Sequence, residues 1–104
     1  MAHYLVKARP TDDLDALRAE LDSGAIKEME PFGNELHHAL MNARVDDAGW
    51  ALWEENCYCN PPLKQEREVL DRYFDDLSTV TINKGEGWAQ LEDLPSLWER
   101  ATQQ

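Results

Sequence analysis

Residues 32–62, FGNELHHALMNARVDDAGWALWEENCYCNPP, gather a histidine pair, both cysteines and two of the four tryptophans, and most of the chain's capacity for chemistry. If residues 36–45 and 51–59 are strands of a hairpin closed by Asp47-Ala48-Gly49, positions whose numbers sum to 96 face each other. His38 then stands opposite Tyr58, and an imidazole beside a phenol can pass protons near neutral pH. His3, Lys7 and Arg9 on a neighbouring strand, with Glu54 one step along, would form a ligand-binding set in which the cations hold the anionic end of a small organic acid. The bland alternative is a polar rim at a subunit contact, with His38 and Tyr58 stacked there.

A second cluster falls on the other face of the same hairpin: His37, Glu55, Cys57 and Cys59. Glu55, flanked by Trp53 and Cys57, would be a carboxyl buried in an apolar layer, with its pKa driven upward. These are metal-ligand types, but specific zinc motifs use longer spacings, and the thiols read more simply as small buried hydrophobes. No metal and no cofactor is expected. Cys59, just before a helix start, is the one candidate for a reactive thiol. A bridge between Cys57 and Cys59, one residue apart, would be a strained ring. The sequence contains no G-x-G-x-x-G, P-loop or H-E-x-x-H, and no nucleophilic triad is visible.

The elements that must position these residues follow from periodicity. His3 to Arg9 alternates as a strand with one buried face, and Pro10 ends it. Thr11 then caps a helix with Leu14, Leu17 and Leu21 on one side, stopped by Gly24. Leu36, Leu40 and Ala43 fit a helical spacing as well as a strand. The Asp46-Asp47-Ala48-Gly49 turn decides for a strand, since glycine after a type I turn is the usual hairpin loop. Asn60-Pro61-Pro62 opens a second helix with Leu63, Leu70, Tyr73 and Phe74 as its stripe. Asp75-Asp76 break it before a β-branched strand over residues 77–82, and Gly85-Glu86-Gly87 leads into a helical tail over 84–104 interrupted by Pro95.

The order βαββαβ resembles the ferredoxin-like α+β sandwich, with an antiparallel sheet in strand order 4-1-3-2 and two helices on one face. All 104 residues then form a single domain. Parity places Val80 and Ile82 under the helices with Val6 and Trp53. It places Leu5, Leu36, Leu40, Trp50 and Leu52 on the uncovered face, with Thr79 and Thr81. So apolar a face marks an interface, and the expectation is a homodimer resembling the dimeric α+β barrel, two sheets facing each other. Trp88, Leu91, Leu94, Leu97 and Trp98 of the tail covering the same face is the alternative.

A net charge of −11 makes the phosphate term repulsive, which excludes nonspecific binding to nucleic acid or an anionic membrane. MAHYLVKARP lacks the apolar run of a signal peptide, and no apolar stretch approaches the roughly 18 residues of a membrane span. The expected location is cytoplasmic. The functional expectation is a homodimeric small-molecule-binding or assembly protein without catalysis, taking a small anionic ligand. Its alternative is a cofactor-free enzyme using His38 and Tyr58 for acid–base chemistry on a small organic acid.

Overall fold

The structure, a computed structural model, describes residues 2–57 and 63–102, and side chains over 2–56 and 63–99. Along β1 (Ala2–Pro10) the alternation holds: Tyr4, Val6 and Ala8 are buried while Lys7 and Arg9 are exposed. Helix α1 (Leu14–Ser23) buries Leu17 and Leu21. It ends at Gly24, whose N–H donates to the Leu21 carbonyl.

The next element corrects the sequence reading. Residues 33–41 are helix α2 (Gly33–Met41), not the first arm of a hairpin. Leu36, Ala39 and Leu40, spaced three and four apart, are all buried, as one helical face requires; a strand would have sent Ala39 to the opposite side from its neighbours. The turn itself forms as expected. The Asp46 N–H donates to the Trp50 carbonyl at 3.0 Å, and Gly49 takes the left-handed conformation at φ 91°. Only β2 (Arg44–Val45) is left to pair with β3 (Ala51–Cys57), through Val45 opposite Ala51 and Arg44 opposite Leu52. Both pairs sum to 96.

A second helix running from Pro61 through Phe74 is also corrected. Asn60, Pro61 and Pro62 lie outside the described residues, and α3 is a single turn (Arg67–Leu70). Phe74 begins β4 (Phe74–Ile82), where its ring tilts against Trp53 with centroids 5.1 Å apart. Two short helices follow, α4 (Glu86–Leu91) and α5 (Leu97–Thr102).

The sheet is antiparallel in the order β2-β3-β1-β4, which is 4-1-3-2 counted from the other edge. The molecule is a ferredoxin-like α+β sandwich whose sheet is open and uncurled, so the expected closed, barrel-type assembly is overturned. Two features remove its basis. Leu36 and Leu40 leave the sheet for the core, and α4 lies on the face that a second sheet would have needed.

A bulge changes β4 as well. Register jumps between Lys7 and Arg9, from Ser78 to Asp75 on the partner strand, and Asp76 has φ 54°. One extra residue reverses the parity beyond it. Val80 and Ile82, expected under the helices, therefore pair with Leu5 and His3 on the other face, and Thr79 and Thr81 sit across from Val6 and Tyr4.

One apolar cluster fills the space between sheet and helices, with Trp53, Leu17, Leu36, Leu40, Leu70 and Phe74 among its fully buried members. Leu52 of β3 and Leu91 of α4 are also buried but stand outside it, one on each element meeting at the opposite face. The tail then passes around the β2 edge. The Val45 N–H donates to the Pro95 carbonyl, the Leu97 N–H donates to the Ala43 carbonyl, and Arg44 bridges to Ser96. Trp98 arrives on the helical side, where its indole N–H donates to the Leu40 carbonyl at 2.7 Å. Among the described residues no helix is long and apolar enough to cross a membrane.

Candidate functional site

The face of the sheet away from α1 and α2 has two unlike ends. At one end, Glu54 points from β3 toward the start of α4. Its Oε2 accepts the Gly85 N–H at 2.8 Å, and its Oε1 accepts those of Gly87 at 2.8 Å and Trp88 at 3.2 Å. Helix α4 has no side-chain cap from its own sequence, so this distant carboxylate satisfies N–H groups that a helix start leaves unpaired and places negative charge where the dipole favours it. Glycine at 87 leaves room for this approach: a Cβ there would come within 3.0 Å of Ile82 Cδ1 and the Glu54 side chain, which would have to shift. His3 Nδ1 lies 3.8 Å from Glu54 Oε2.

The other end is cationic and open. The period of β1 sends Lys7 and Arg9 to this face, and the hairpin turn delivers Trp50 between them and the turn backbone. Asp46 fixes that turn, its Oδ1 accepting the N–H groups of Ala48 at 3.0 Å and Trp50 at 2.9 Å. Lys7 Nζ stands 4.8 Å and Arg9 Cζ 4.7 Å from the Trp50 ring centroid, both within cation–π range. Arg9, Ala48, Gly49 and Trp50 line a recess of about 390 Å³. The nearest acid to Arg9 is the exposed Asp76, 3.9 Å away.

The four expected ligand-binding residues are thus divided, Lys7 and Arg9 at the open end and His3 and Glu54 beneath α4. Of the expected proton-carrying pair, only His38 lies among the described residues. His38 is exposed on α2, its ring edge-on to Trp88 with centroids 6.4 Å apart; Tyr58 lies outside the described residues. The expected dimer patch is dispersed too. Leu5 and Trp50 are half-buried, Leu52 is buried, and Leu36 and Leu40 belong to the core.

No family model matches this chain, and neither does any curated protein or solved structure.

Of the second cluster, Glu55 and His37 lie among the described residues. Glu55 is 2% exposed on the helical face of β3, and its Oε1 accepts the Trp53 indole N–H at 2.8 Å. Loss of solvent pushes its carboxyl up to about 8, against the lowering by the indole; the carboxyls of Glu66 and Glu35 add to the rise. His37, half-buried on α2, has an Nδ1 with no hydrogen-bond partner among the described residues. The Cys57 side chain and Cys59 lie outside the described residues. Among the described residues no three acids, histidines or cysteines are arranged to hold a metal.

Sequence reasoning missed Glu66, which is 2% exposed and whose carboxyl is also raised by burial. Its signal was present. Position 66 falls three after Leu63 and four before Leu70, so an acid occupies the apolar stripe itself. Trp50 was assigned to the interface rather than to the ligand set, although the fixed turn geometry puts it beside Arg9.

Proposed function

We propose that this chain binds a small organic or phosphate-bearing anion at the Lys7–Arg9–Trp50 end of its open sheet face, without catalysing a reaction on it. The observation that carries the reading is the recess of about 390 Å³ against Arg9 and Trp50, with Lys7 on the same ring. A guanidinium offers a planar fork that matches a carboxylate or phosphate. Two neighbouring cations on a chain of net charge −11 also create a local attraction for an anion. The acid–base alternative needs His38 beside Lys7 and Arg9, and His38 stands on α2.

Calorimetric titration with inorganic phosphate, citrate and benzoate tests this. At least one should bind. Arg9→Ala and Lys7→Ala should each weaken that binding by about tenfold, the scale of one lost charge-assisted contact. Arg67→Ala, which removes an exposed partner of Asp71 on α3, should leave it unchanged. Heat signals indistinguishable from buffer for all three probes, or equal affinities in the parent and both recess variants, would overturn the proposal.

A further inference from the structure

The two edges of the sheet are treated differently by the chain. The β2 edge is closed by residues 95–97 through the hydrogen bonds to Val45 and Ala43. The β4 edge is the terminal strand of the sheet, and among the described residues no backbone hydrogen bond reaches it from outside. A nine-residue edge strand of this kind presents a row of unpaired N–H and C=O groups, the template for adding another strand.

Protection along β4 is confined to its first third. Asp75, Asp76 and the bulge between Asp75 and Ser78 are devices that discourage pairing. Beyond them Leu77-Ser78-Thr79-Val80-Thr81-Ile82 carries no charge, no proline and no glycine. It is rich in the β-branched residues that favour strands. Val80, 60% exposed, is the one large apolar side chain left in solvent among the described residues.

We propose that this edge takes a second copy of the same chain, β4 pairing antiparallel with its counterpart about a two-fold axis through Val80. The sequence is self-complementary in that register. Facing positions sum to 160, so Val80 meets Val80 on the open face and Thr79 meets Thr81 on the helical face. Each is a favourable cross-strand pair. The product is one continuous eight-stranded sheet with both helical layers on one side, in which the recesses at Arg9 remain open. This inference is independent of the anion reading, because it uses the other edge of β1's neighbour and none of the recess residues.

The contact is short, residues 78–82 of each chain, so the dimer should form and dissociate with concentration rather than persist at all dilutions. Sedimentation velocity between about 5 and 500 μM should show a monomer passing toward twice the mass of 12.0 kDa. Val80→Lys puts like charges on the two-fold axis and should abolish the shift, with circular dichroism unchanged because the side chain is already in solvent. With both native cysteines replaced by serine, Val80→Cys should oxidise to a covalent dimer, whereas Ser78→Cys, facing position 82, should not. A parent monomeric at 500 μM overturns the proposal. So does a dimer that Val80→Lys leaves intact, or equal cross-linking at positions 78 and 80.

Discussion

Glu55 shows how one side chain sets a response to pH. Its carboxyl is sealed beneath the helices, accepts the Trp53 indole N–H, and is more basic in the folded chain than in the unfolded one. The folded state therefore holds the proton more tightly. The stabilising contribution is complete below the ordinary value of 4.5 and disappears as pH climbs through about 8. A shift of that size corresponds to a few kcal/mol, on the order of 4–5 at most. Urea midpoints measured from pH 5 to 8.5 should fall for the parent. The Glu55→Gln chain, which keeps an oxygen for the indole, should show a flatter profile and be the more stable of the two at pH 8.5. At the same scale, Trp53→Ala should cost roughly 3–5 kcal/mol in the same titration, because it empties the largest site in the core and leaves Phe74 without its ring contact.

Helix α4, six residues long, is too short to persist by itself, so its position depends on the sheet beneath it. Glu54→Ala should release it. Three N–H groups would lose their acceptor, at a cost of about 1–3 kcal/mol, and hydrogen exchange at Gly85, Gly87 and Trp88 should accelerate while β1 and β3 keep their protection. A uniform loss of protection throughout the chain would count against this account. Elements of this kind explain what could be learned from sequence. Strand β1, helix α1 and the Asp47-Ala48-Gly49 turn were legible because each is specified locally, by alternation, by spacing and by a glycine that tolerates positive φ. Residues 33–41 were not, because Leu36 and Leu40 satisfy both periods and the turn's signal was allowed to extend too far upstream. The β4 parity was hidden for another reason: a bulge at Asp75–Asp76 leaves no mark on hydrophobic pattern. Lys7 and Arg9 were found from the β1 alternation, whereas the capture of Glu54 by α4 depends on residues 31 to 34 positions away in sequence.

Across the whole molecule, acidity governs behaviour. The Cα radius of gyration is 12.7 Å, whereas the Debye length is about 30 Å at 0.01 M salt and about 8 Å at 0.15 M. In dilute buffer most of the net −11 is felt across the entire fold; at moderate ionic strength only neighbours interact. Thermal midpoints should therefore rise by several degrees between those two conditions, as self-repulsion is screened. Binding of a small anion near Arg9 should weaken over the same interval. Opposite trends in two measurements on one sample separate the global field from the local one.

The strap formed by residues 94–98 has a consequence for the order in which the protein is made. A ribosome delivers the N-terminal strands and helices first, and the partners for Ala43 and Val45 emerge only some fifty residues later. Throughout that interval the nascent sheet carries two bare margins instead of one. Completion of the polypeptide is what closes the β2 margin.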